Sequence, residues 1–167
     1  IKTIDFKKCL DYEREEDNVY LLDMARYSLD GGKTFSGEEE ILRIDESIRK
    51  MLNYPYADGC DCQPWAIAEE KITHFPILRF ETESEIETEC MLAIEEVEEV
   101  ILNGEKVAVE ENGYFTDRAI KTMKLPPLKK GKNELLIKAP IGKRLGLENY
   151  FLLGDFGVVL KGVKKKI

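Results

Sequence analysis

Between residues 77 and 160 apolar side chains recur at every second position, and this alternation constrains the fold more than any other property of the chain. Leu78 and Phe80 alternate with Arg79 and Glu81. Cys90, Leu92 and Ile94 alternate with Glu89, Met91, Ala93 and Glu95, while Leu135, Ile137 and Ala139 follow the turn Gly131-Lys132-Asn133, and Val158 and Leu160 close the series. A period of two sends successive side chains to opposite faces of a strand, so each segment offers one face to a core and one to water. Short strands of this kind predict two facing antiparallel sheets rather than a parallel βαβ sheet. The clearest turn lies in "VILNGEKV", residues 100–107. Val100 and Leu102 lead into Asn103-Gly104, Val107 and Val109 lead out, and a two-residue hairpin turn needs positive φ at both central positions.

The first third reads differently. "NVYLLDMARYSLDGGKTF", residues 18–35, is predicted to form two short strands around the turn Asp30-Gly31-Gly32. Ser36 and Glu39 have capping-box spacing. Beyond them Ile41, Ile44, Ile48, Met51 and Leu52 fall on one helical face. The expectation is a helix from about Gly37 to Leu52, ended before Pro55, of about four turns. An irregular loop, "NYPYADGCDCQPW", follows. Residues 1–64 are thus expected to be a hairpin, a helix and a loop entering from a preceding domain, and residues 65–167 a β-sandwich, the two forming one structural unit. The fold class is all-β with one appended helix.

A chain of 167 residues is long enough for one good core, and 43% hydrophobic with 35% charged residues describes a globular protein. Its net charge of −8 and pI near 4.9 set a field that repels nucleic acid and anionic lipid, and Lys164-Lys165-Lys166 is too short to reverse it. No apolar run approaches the ~20 residues of a membrane span; "YFLLGDFGVVL" is interrupted by Asp155 and two glycines. The partners expected therefore exclude nucleic acid and membrane. The start at Ile1 suggests a piece of a longer protein. Cys9, Cys60, Cys62 and Cys90 read as free thiols, since Cys60 and Cys62 are too close to pair and lack companions for a zinc site. Free thiols and the lack of a signal segment favour the cytoplasm.

Self-contained catalysis finds little support in the residue pattern. The one histidine, His74, lies in the strand-like "KITHFPIL", outside any nucleophile motif, and "GGKTF" lacks phosphate-loop spacing. With 33 acidic residues some carboxylate pair at glycosidase distance is inevitable and uninformative. No catalytic residue is assigned. Aromatic and polar groups say more: sugars stack their C–H faces on rings and bond their hydroxyls to Asp, Asn and Arg. Trp65, beside a polar loop, and Tyr114, Asp117 and Arg118 in "NGYFTDR" are the candidate carbohydrate contacts. A lone tryptophan also serves well as a core plug.

The ordered set Val100-x-Leu102-Asn103-Gly104-x-x-Val107, then Gly113-Tyr114-x-x-Asp117, then Leu128-x-x-Gly131-x-Asn133-x-Leu135-x-Ile137 resembles the galactose-binding-like jelly roll. This is the sugar-binding domain of family 2 glycoside hydrolases and of α-L-rhamnosidase-like enzymes, and the resemblance covers roughly residues 65–163. It implies a jelly-roll sandwich and a non-catalytic accessory domain, with carbohydrate and the catalytic domain of the same parent chain as partners. In such enzymes the catalytic carboxylates lie on a separate barrel. No cofactor is implied, although related domains often hold a structural calcium, for which Asp58 and Asp61 are the candidates. Two alternatives stand beside this: a purely structural domain docking the barrel through an apolar patch, with the helix face Ile41, Ile44 and Ile48 as candidate, and an autonomous glycosidase.

Overall fold

The computed structural model describes residues 14–55, 67–161 and 164–167. Its described residues are mostly β, in antiparallel sheets, with one helix. The strands are β1 (Asn18–Leu22), β2 (Met24–Ser28), β3 (Glu39–Glu40), β4 (Ile77–Ser84), β5 (Met91–Ile94), β6 (Glu99–Leu102) and β7 (Glu105–Val107). They continue with β8 (Glu111–Phe115), β9 (Asp117–Lys124), β10 (Gly131–Lys138), β11 (Tyr150–Gly154), β12 (Val159–Lys161) and β13 (Lys164–Lys166), and α1 spans Ile41–Leu52. One sheet has the order β1-β11-β5-β9-β8, the second β3-β2-β4-β10-β6-β7, and β12 pairs with β13.

Register explains how the two sheets share a core. Tyr20, Leu152, Leu92 and Met123 are cross-strand partners in the five-stranded sheet. In the six-stranded sheet Leu78, Ile137, Val100 and Val107 form one row, and Phe80, Leu135 and Leu102 the next. All of these belong to a single buried cluster. Each such aliphatic side chain, fully buried, contributes about 1.5–3 kcal/mol. The Asn103-Gly104 turn joins β6 to β7 with φ of 53° and 83°, as the hairpin requires. Asn103 does more than turn the chain. Its amide Nδ2 donates to Asn133 Oδ1 at 2.9 Å, and its Oδ1 accepts from the Glu134 N–H at 3.0 Å, so the hairpin is fastened to β10.

Two N-terminal expectations need correction. Both predicted strands lie before Asp30, and the turn at 30–32 does not join them. β1 pairs with β11 and β2 with β4, so the two strands sit in different sheets on either side of Asp23. The helix also begins later than capping-box spacing suggests, and Ser36 is not its cap. The Ser36 hydroxyl accepts from the Tyr27 N–H at 3.0 Å and donates to the Gly37 carbonyl at 2.7 Å, while Glu39 pairs with Ala25 in β3. Glu40 caps instead, its carboxylate accepting from the N–H groups of Leu42 and Arg43, both at 3.2 Å. Asn53, left-handed at φ 53°, closes the other end. The apolar face forms at three of its five expected positions; Leu52 is partly buried against the core, while Met51 is 57% exposed. Ile41, Ile44 and Ile48 are fully buried in the domain's own core, so this face is not a docking patch.

The outer faces of the sheets differ. On the six-stranded sheet the outward row Arg26, Arg79, Leu136 and Ile101 mixes charged and apolar side chains, and Glu81 and Glu134 are paired in the next. On the five-stranded sheet, Leu21, Phe151 and Ala93 form one outward row and Val19, Leu153 and Met91 the next. Ala93 and Leu153 are buried yet stand outside the core cluster, which places an apolar layer on the far side of this sheet as well.

Candidate functional site

Three of the four candidate carbohydrate contacts meet at one end of the β8–β9 hairpin. Tyr114 is 59% exposed, and Asp117 and Arg118 are exposed beside it. The pairing there is irregular: Tyr114 opposes Lys121, whereas the next residue, Phe115, opposes Asp117, so residues 118–120 bulge from β9. Bulges of this sort re-aim side chains at sheet edges. The tip residue Thr116 has φ 55°, a strained value for a β-branched residue. Asp117 Oδ1 accepts from the Ala119 N–H at 2.8 Å, leaving its second oxygen for another donor. Phe115 packs on Phe151 with ring centroids 5.2 Å apart. Phe151 was not visible as a site residue in the sequence, because it is remote from Phe115 in the chain and β8 and β11 are not neighbours in the sheet. Trp65, and the calcium candidates Asp58 and Asp61, lie outside the described residues.

The other end of the same sheet opens into a groove of about 840 Å³. Its lining comes from residues 85–91, from Lys124, from residues 153–159, from Asp17 and from Ile167. The turn that forms one wall is held by a hydroxyl pair. Ser84 and Thr88 hydroxyls lie 2.9 Å apart, and both bond the Ile86 carbonyl, at 2.6 and 3.2 Å. The opposite wall approaches closely at Gly154, where a Cβ would stand 2.8 Å from the Glu89 carbonyl oxygen. Only glycine leaves that spacing undisturbed. Cys90 faces this groove but is 4% exposed, and desolvation pushes its thiol up to about 12. Such a thiol is neither a nucleophile nor a ready redox group. We predict that at pH 8 native Cys90 resists a maleimide that labels it readily in urea, as read by peptide mass spectrometry. Fast native labelling at Cys90 would contradict this burial.

A third cluster surrounds the end of the helix. Arg49 Nε donates to Asp45 Oδ2 at 2.6 Å, and Arg49 also donates to the carbonyls of Pro55 at 3.2 Å and Lys143 at 3.5 Å. Asp45 Oδ1 accepts from the Leu147 N–H at 2.8 Å. These bonds tie α1 to the loop before β11. Next to them the Glu148 carboxyl is held above its ordinary value, first by desolvation, then by the Glu95 and Asp45 carboxylates, with Arg49 opposing. Sequence reading missed this group, since Asp45, Glu95 and Glu148 are remote in the chain. The folded protein therefore keeps the Glu148 proton to higher pH than the unfolded chain. Its favourable contribution is complete below the ordinary value of 4.5 and is lost as pH rises through the raised one. Glu148→Gln is accordingly expected to gain stability relative to the parent protein between pH 4 and pH 7, measured by paired thermal melts. A difference independent of pH would refute it.

Among the described residues no group of three or more His, Cys, Asp or Glu side chains is placed to hold a metal ion, and no helix is long and apolar enough to cross a membrane. His74 is engaged locally, with Tyr54 Oη 3.0 Å from its Nδ1. Compared with protein-family models, with curated proteins and with solved structures, the chain matches none.

Proposed function

We propose that this chain is a non-catalytic accessory domain of the galactose-binding-like jelly-roll type, part of a larger glycoside hydrolase, holding carbohydrate at the β8–β9 end. One observation carries the reading: exposed Tyr114, Arg118 and Asp117 share a bulged hairpin end with the Phe115–Phe151 ring pair. A ring face with an adjacent guanidinium and carboxylate is the chemistry a sugar requires. Such a shallow edge gives weak affinity, because few ligand atoms are desolvated there. Titration with mono- and oligosaccharides at millimolar concentration, followed by calorimetry and amide chemical shifts, tests it. The expected outcome is weak binding with shifts centred on residues 114–118, lowered about tenfold by Tyr114→Ala, the loss of roughly one stacking contact. The absence of both heat and shifts would remove the binding role.

The apolar outer rows of the five-stranded sheet favour a second reading, in which the domain docks the catalytic barrel and binds no sugar. Val19, 38% exposed, and the partly buried Met91 and Phe151 would then contribute to the docking surface, since apolar groups grouped on one face mark interfaces. Replacing Val19, which lies outside the hairpin site, by Glu separates the two readings: it breaks association with the barrel if the face docks, while sugar-induced shifts at Tyr114 measure binding independently. An autonomous glycosidase is not supported by the hairpin carboxylate, which serves the local turn. No turnover of nitrophenyl glycosides is expected, and activity abolished by Asp117→Asn would reverse the order of these readings.

A further inference from the structure

The groove at the far end of the five-stranded sheet is unlike the hairpin site. Its floor is apolar, with Met91, Leu153 and Phe156 beside the inert Cys90. Its rim carries the carboxylates of Asp17, Glu85, Glu87, Glu89 and Asp155, and Lys124 is the one cationic side chain among the described lining residues. A sugar finds little here: Phe156 is the one ring in the lining and is itself buried, and the polar groups stand at the rim rather than over the floor. A cationic ligand with apolar side chains matches both zones. The rim already accepts a guanidinium from within the chain, since Arg14 pairs with Asp155. Glu87 and Glu89 are exposed and form no ion pair among the described residues.

We propose that this groove is a docking site for a basic, amphipathic peptide segment of a partner protein, which inserts apolar side chains between Met91 and Phe156 and sets Arg or Lys residues against Glu87 and Glu89. The inference does not rest on the carbohydrate reading, which concerns the opposite end of β9. A volume of about 840 Å³ lies in the range of well-formed ligand sites and accommodates several side chains of an extended peptide. Rim charges govern the encounter and the salt dependence, and the apolar floor supplies the buried contacts.

The test uses the intact chain and a short fluorescein-labelled peptide in which leucine and arginine alternate. Anisotropy should report micromolar binding that weakens severalfold at high salt, with amide shifts confined to residues 85–91 and 153–159. The double variant Glu87→Lys/Glu89→Lys should retain the melting profile of the parent, because both side chains are exposed, and lose binding about tenfold or more. A peptide with glutamate in place of arginine should show the reverse preference, ignoring the parent and binding the double variant. Equal binding of the arginine peptide to both proteins, or shifts located elsewhere, would overturn the proposal. So would sedimentation showing that the parent self-associates and the double variant does not, since a second copy would then be the occupant.

Discussion

Asp45→Ala is expected to lower the unfolding free energy by about 3–5 kcal/mol, the range for removing one partner of a buried ion pair. The side chains of Arg49 and Asp45 are only 7% and 16% exposed. Truncation leaves the guanidinium buried with only the Pro55 and Lys143 carbonyls, and it strips the Leu147 N–H of its 2.8 Å acceptor. Gly146 shows how closely the loop is fitted to the pair, for a Cβ there would stand 2.9 Å from an Arg49 guanidinium nitrogen. Replacing both residues at once, Asp45→Leu with Arg49→Met, should recover most of the loss, because it removes the desolvated charge together with its partner. Urea unfolding of the parent, the two single variants and the double variant measures the coupling directly. A loss below about 1 kcal/mol for Asp45→Ala would place the pair among ordinary surface ion pairs.

Asn133→Ala should cost a similar amount, about 3 kcal/mol, through unmet hydrogen bonds rather than charge. Asn133 is 3% exposed and is the hub of one turn and two strands. Its Nδ2 donates to the carbonyls of Lys129 at 2.8 Å and Gly131 at 3.1 Å, and its Oδ1 accepts from the Lys129 N–H at 2.8 Å and from Asn103 Nδ2 at 2.9 Å. Alanine removes the partners of the Lys129 backbone groups and of the Asn103 amide, loosening the turn of the β6–β7 hairpin while the β6–β10 ladder remains. The expected signature is a lower denaturant midpoint together with faster amide exchange at Asn103 and Glu134. Exchange unchanged at those two amides would show that the hairpin stands without the clamp.

The contrast between Asn103 and Ser36 shows what the residue order could reveal. Asn103-Gly104 needs left-handed backbone at two adjacent positions, a requirement local to the dipeptide, so its turn was legible. The core rows were legible for the same reason, since alternation acts within one strand. Ser36 had an equally good local signature, but a neighbouring strand supplied a competing donor, the Tyr27 N–H, and the cap passed to Glu40. The split of β1 and β2 between sheets was hidden because two adjacent strands read as a hairpin unless their partners are known. Alternation also failed to mark the outer apolar layer: Met91 and Ala93 occupy the positions that should face water, and only pairing with Phe151 and Leu153 reveals their company. Of the sites, the hairpin end was visible because Tyr114, Asp117 and Arg118 are close in the chain. The groove was not, being assembled from segments with no common spacing.

The placement of β1 beside β11 has a kinetic consequence. Asn18 donates to the Phe156 carbonyl across 138 positions of chain. The β1–β11 pairing is thus a contact of very long sequence separation, the kind whose loop-closure entropy slows folding.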